Sequence, residues 1–329
     1  MPLTMDVFND DAFSVINLTK GINETTYKPG RISSLGLFME EGISTTAVMI
    51  EKRKNGLAIV PAKARGAEGT PVTGDKANAV AFKTTHLPLV AQILADEIIG
   101  KRAFGTTDQE MVEAVVNRRL QKMRNAIDVT IEFQRIGAII GKILDADGSV
   151  LLDVYDAFGL TQQSHSLKLG TESTKVRTKV REGIRMSEDA LEANVDGYRA
   201  LCGRIFFDSF CDHKAVADAY QRYNQGEMLR NDPRGGFDFA DVRWEEYRGK
   251  LNGQKFVADD KAYLVPEGVA DMFVTNFAPA DYMETVGTDG LPYYAKQEPG
   301  RMGKSVELEA QSNPLNLCTM PQGIIELTL

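Results

Sequence analysis

Cysteine, histidine and tryptophan are scarce in this 329-residue chain, at 3, 3 and 1 copies. Cys202, Cys211 and Cys318 are an odd set spread over a long chain, which excludes a disulfide framework and suits a reducing compartment. His86, His165 and His213 leave little material for histidine chemistry. No run approaches the roughly 18 apolar residues of a membrane-spanning helix, so no bilayer partner is expected. The opening MPLTMDVFNDDAF holds acids where a signal peptide carries bases, and no apolar stretch follows it. The sequons at Asn17 and Asn23 are therefore read as chance.

What is present is ordinary for a globular chain with a real core: 43% apolar and 26% charged residues exclude wholesale disorder. The length predicts about two domains. Lys plus Arg total 38 against 46 for Asp plus Glu, a net −8 that argues against a protein whose main work is holding phosphate backbones. A local basic patch is still allowed.

Short apolar clusters in the first 45 residues (Phe8, Phe13, Val15, Ile16, Leu18; then Leu35, Leu37, Phe38) are spaced by polar stretches and by Pro29-Gly30. Such an arm cannot bury its apolar groups on itself, so it must lie across its own core or a neighbouring subunit. TTAVMIE (45–51) and NGLAIV (55–60) read as strands, with Asn55-Gly56 signalling a hairpin. Residues 61–79 are small and loop-like, and Val80 to Leu94 returns apolar and extended, so the ribbon projects from any core.

Thr107 to Leu144 carries the strongest helical pattern: Val112, Val116, Leu120, Met123, Ile127 and Ile131 recur in steps of four or three. Thr107 can cap its start, and at 1.5 Å per residue the rod would be about 55 Å long. Gly137 and Gly141 weaken its last turns. Asp147-Gly148 then predicts a tight hairpin within 143–154. In 174–192, Val176, Val180 and Ile184 favour a helix, although the Lys-Val-Arg-Thr-Lys-Val-Arg alternation also fits a strand. Beyond Val195 aromatics become dense, as in a compact domain with its own core. There Ser209–Tyr223 reads as helix, with strands at 242–247, 255–257, 262–265, 305–310 and 323–329 and a turn at Ser312-Asn313-Pro314.

Few residues carry a pattern that catalytic or ligand chemistry requires. Gly303-Lys304-Ser305 ends like a phosphate loop, but the glycine that lets backbone N–H groups wrap a phosphate is replaced by Glu298, and Ser305 opens a strand. Cys202, Cys211 and His213, with Asp212 among them, lack paired zinc-ligand spacing, so both thiols are read as small buried hydrophobes. Asp145-Ala-Asp147-Gly148 starts like a calcium loop, yet its glycine comes too early and position 156 is Asp156, not glutamate. Asp259-Asp260 are paired carboxylates on a loop with no second element to position them. No catalytic, cofactor-binding or metal-ligating residue is expected, and no enzyme activity or cofactor. Three basic clusters remain, at Lys52 to Lys54, at Lys63 with Arg65, and at Lys175 to Arg185. Residues 51–65 hold five bases and one acid (+4), and residues 1–50 three bases and six acids (−3); any single charge run reads as a solvated face, but together the two suit head-to-tail pairing between copies.

The order of parts resembles the major capsid protein E family of tailed phages, the lambda type. The closest stretches are FVADDKAYLVP (256–266), GLPYYAK (290–296), KSVELEAQSNPLNL (304–317) and 321–327, with RIFFDSFCDHKAVADAY (204–220) similar to the family's strand-into-helix entry to its second domain. The resemblance implies an α+β, Hong Kong 97-like capsid fold. It divides the chain into an N-terminal arm (1–43), an extended β-hairpin loop (44–92), a peripheral domain with a long spine helix (93–194), an apical domain (195–302) and C-terminal strands returning to the peripheral domain (303–329). It also implies a virion protein, assembled in host cytoplasm into pentamers and hexamers of an icosahedral shell around double-stranded DNA, without sequence-specific binding. Scaffold, portal and decoration proteins are implied partners. Some capsids of this fold cross-link through a loop lysine, but no such chemistry is assigned to Lys63, Lys52, Lys54, Lys76 or Lys83. An encapsulin-like nanocompartment is the alternative within the fold, and a metal-dependent enzyme a remote one outside it.

Overall fold

A computed structural model describes residues 14–24, 30–51, 79–95, 97, 108–191, 195–223, 235–251, 254–301 and 304–329. The strand expected at 55–60, the loop tip, the Thr107 cap and the basic residues of 52–65 lie outside them. The chain divides into two compact units, one of Met1–Val48, Phe82–Glu132 and Val274–Asn316, the other of Met49–Ala81, Phe133–Phe273 and Leu317–Leu329.

In the first unit, Ser305–Ser312 is the middle strand of an antiparallel sheet between Tyr294–Pro299 and Leu87–Leu94. Its alternation decides which face is dry: Val306, Leu308 and Ala310 are buried, while Glu307 and Glu309 point the other way. The dry face meets the long helix Asp108–Ile140, whose Val112, Val116, Leu120, Met123, Ile127 and Ile131 are all buried as their spacing predicts. Leu18 and Ile22 of the helix Val15–Glu24 complete that core. The arm residues described here thus lie across their own unit, and they form helices (Val15–Glu24 and Arg31–Leu35) that the sequence pattern did not suggest. Met39–Gly42 then pairs in parallel with Val274 to Phe277.

Ala47–Glu51 pairs with Ala79–Lys83, which follows the small-residue stretch in the sequence, so the ends of the expected projecting ribbon form a two-stranded sheet.

The second unit is built on a six-stranded sheet in the order Gln163–Ser166, Ile325–Thr328, Lys261–Glu267, Gly197–Cys202, Val242–Glu246, Phe237–Phe239. Helices Val176–Leu191, Arg204–Asp212 and Lys214–Tyr223 lie on it. Val176 and Val180 are buried and Ile184 is partly so, and Val176–Leu191 forms the helix favoured for this stretch. Phe206 and Phe210 reach Trp244, which stacks on Phe210 at 3.9 Å between ring centroids, while Phe207 meets Phe237 edge-on, and the Trp244 indole N–H donates to the Phe239 carbonyl at 3.0 Å. Each such fully buried ring stabilises by roughly 1.5–3 kcal/mol. The expected single helix 209–223 is instead two, broken at extended His213, and Arg204 opens a helix and not a strand. The hairpin after the long helix forms as expected from Lys142–Leu144 and Val150–Asp153, with Gly148 at φ +86°.

The two terminal strand runs go to different places. Ser305–Ser312 joins the first unit's sheet, whereas Ile325–Thr328 lies inside the six-stranded sheet, parallel to Gln163–Ser166 and antiparallel to Lys261–Glu267. Asn313 alone separates Ser305–Ser312 from the strand Pro314–Cys318, where a turn was expected.

Candidate assembly surfaces

The residues that organise the first unit's surface sit beside the apolar stripe of the long helix. Arg124, Asp128 and Glu132 form a second row, each one position after Met123, Ile127 and Ile131, and so face the seam where the arm lies. Arg124 Nη1 donates to the carbonyls of Ile22 (2.6 Å) and Asn23 (3.0 Å), satisfying the C-terminal end of the arm helix, where a cation also complements the helix dipole. Its guanidinium lies 4.7 Å over the Tyr293 ring, and the Tyr293 hydroxyl donates to Asp128. Burial, then the Asp128 charge, pushes the Tyr293 phenol well above its ordinary range, so it stays a donor at physiological pH. The Asn23 side-chain amide spans from Thr19 O to Tyr293 O at 2.8 and 2.9 Å.

Two turns further on, the buried Glu132 carboxylate accepts from the Ile32 amide (2.7 Å), the Ser33 amide (3.2 Å) and the Ser33 hydroxyl (3.2 Å). The cation thus holds the end of one arm helix and the anion the start of the next. Sequence reasoning missed this row; the signal was there, in charged residues spaced by four alongside an apolar stripe.

The residues considered for chemistry are scattered or spent on structure. Cys202 is fully buried on Gly197–Cys202, and desolvation followed by the nearby Cys211 raises its thiol well above normal. Burial, then Asp212 and Asp208, pushes Cys211 up to about 12, and burial does the same to Cys318. His213 Nε2 pairs with the Thr171 carbonyl at 3.2 Å, Asp259 with Lys255 at 2.6 Å, and Ser305 opens a strand. Among the described residues, no group of three or more His, Cys, Asp or Glu is placed to hold a metal ion, and no helix is long and apolar enough to cross a membrane. Buried charge is used for internal bracing: Arg199 bridges Glu245 at 2.9 Å and Glu267 at 2.5 Å across neighbouring strands.

What the surface does offer is large apolar side chains. In the first unit Met283 (88% exposed), Val286 (74%) and Leu291 (44%) crowd one loop region, and Met39 stands on the exposed edge strand. In the second, Val150 and Leu151 are exposed on the hairpin. Such groups mark contact surfaces when they are grouped and rimmed by polar residues.

An arm held along a long helix, a two-stranded ribbon and two mixed α/β units define the Hong Kong 97-like capsid fold, shared with solved phage capsid proteins. A chain described as the capsid protein of an Escherichia coli CFT073 prophage matches with a TM-score of 0.60 at 14% identity, over 96% of this chain and 98% of that one. The mature capsid of bacteriophage PhiM1 matches with a TM-score of 0.51 at 14% identity, over 93% and 88%. The family model for phage major capsid protein E spans residues 14–329, so the chain belongs to that family: it is a structural protein of a phage virion. Two major capsid proteins are similar along nearly their whole length, that of Pseudomonas phage KPP10 (28% identical, covering 90% of this chain and 91% of the relative) and that of Salmonella phage Felix O1 (24%, 96% and 96%).

Proposed function

We propose that copies of this chain form the pentamers and hexamers of an icosahedral shell that encloses the double-stranded DNA of a tailed phage, assembled in the host cytoplasm, and that the role is structural and not catalytic. The family match across 14–329 carries this reading, because it covers the arm, both units and the terminal strands together. On the same reading 1–43 is the arm, 44–92 the extended loop, 93–194 the peripheral domain, 195–302 the apical domain and 303–329 the returning strands.

Physical chemistry supports it. A two-stranded ribbon is marginally stable alone in water. The ribbon Ala47–Glu51/Ala79–Lys83 exposes Met49 (65%) and gains its cover by lying over a neighbour. Repeating one such heterologous contact closes rings. The net −8 keeps packaged DNA from adhering to the wall. Scaffold, portal and decoration proteins are further partners of such a shell.

Negative-stain microscopy of the purified protein tests the reading. Five- and six-membered rings, tubes or shells are expected, and a stable monomer across protein concentration, salt and pH overturns it.

A further inference from the structure

The helix Val176–Leu191 has its charges the wrong way round for its own benefit. Arg177, Lys179 and Arg181 occupy its N-terminal half and Glu188 and Asp189 its C-terminal end, with no acid in the first turn and no base in the last. A helix dipole favours the reverse, so this order weakens the helix. Arg177, Arg181 and Arg185 are exposed and recur at i, i+4 and i+8, a stripe about 12 Å long on one face. Among the described residues no hydrogen bond or ion pair engages their guanidinium groups. Lys179 instead bridges Glu182 at 2.5 Å, and Arg185 adds only its field to that carboxylate.

The same unit carries an opposite feature, also unspent. The hairpin Lys142–Leu144/Val150–Asp153 balances its base through Lys142 and Asp153 (3.3 Å), but its exposed tip holds Asp145 and Asp147 with no cation against them among the described residues. Among the described residues, their carboxylates accept from within the turn itself, from the Ala146 amide at 2.7 Å, the Ser149 amide at 2.8 Å and the Ser149 hydroxyl. Beside them stand Val150 (56% exposed) and Leu151 (42%).

We propose that the Arg177–Arg181–Arg185 face of one copy receives the Asp145–Leu151 hairpin tip of a second copy. The inference rests on the shell reading above and names one of its contacts. Two carboxylates meet the guanidinium stripe, and Val150 and Leu151 lie on the aliphatic stems of the arginines and on half-buried Ile184. A nucleic-acid backbone also suits the arginines, but it leaves the acidic, apolar tip unaccounted for. One copy-to-copy contact settles both features, and because each copy has one donor and one acceptor surface, it propagates head to tail.

A charge exchange in the full-length protein tests this. The stripe variant Arg177→Glu/Arg181→Glu and the tip variant Asp145→Lys/Asp147→Asn each place like charges or none across the contact. Each is expected to raise the concentration for half-maximal assembly about tenfold, and combining them in one chain to return it to within about twofold of the native value. A combined chain no better than the worse single variant, or a tip variant that assembles like the native protein, overturns the proposal. Stripe-variant shells that form normally yet retain less DNA at low salt overturn it in favour of nucleic acid. Should either variant fold poorly, Asp147→Cys/Arg181→Cys under oxidation gives an independent readout: a ladder of cross-linked copies on a denaturing gel is expected, and its absence in assembled material overturns the contact. A native protein that never assembles defeats the shell reading itself, whereas native assembly with indifferent variants defeats this inference alone.

Discussion

Glu132 shows how much one side chain can organise. It is buried, and the start of the helix Arg31–Leu35 turns two amides and a hydroxyl toward its carboxylate. Removing the carboxylate leaves the buried Ile32 amide without that acceptor, which costs about 1–3 kcal/mol, more than the same truncation on an open surface. Glu132→Ala is therefore expected to lower the urea midpoint clearly. Glu132→Gln, which keeps an acceptor of the same shape, should lower it less. Equal midpoints for native protein and Glu132→Ala would show that the arm is not held here.

Elements join at points set by backbone conformation. The long helix ends at Gly141, whose φ of +97° turns the chain back for the strand Lys142–Leu144, and the Tyr155 ring fills the space where a Cβ would stand. Tyr155 in turn donates its hydroxyl to the Pro321 carbonyl at 3.0 Å. Gly141→Ala combines left-handed strain of about 1–3 kcal/mol with displacement of that ring. Its thermal midpoint is expected to fall by several degrees, and an unchanged melting curve would refute the argument. The same scale explains what the sequence made legible. Six apolar positions at helical spacing left no other reading for the rod, and Asp147-Gly148 between apolar runs specified its hairpin. The arm helices escaped notice because ten- and five-residue helices owe their stability to what Leu18, Ile22 and Ile32 bury against, not to their own pattern. The break at His213 carries no proline or glycine to announce it. The arginine stripe was visible as composition, but its common face emerged only once 176–191 was known to be a helix.

At the scale of the whole molecule, the chain keeps returning to what it built earlier. Ile325–Thr328 lies between Gln163–Ser166 and Lys261–Glu267 and buries Ile325 and Leu327 in the core that holds Trp244. A chain stopped at Gly323 would leave both neighbouring strands with open edges in a sheet otherwise dry on its core face. Such a chain is expected to be insoluble or molten, with the emission of Trp244 shifted to the red. A truncated protein with native emission and a cooperative melt would mean that the strand is dispensable. The position of this strand also sets an order in time. While the ribosome is still adding residues before 325, the nascent sheet has an unfilled slot between strands more than a hundred residues older and strands some sixty residues older, so its completion follows the passage of Leu327 through the exit tunnel.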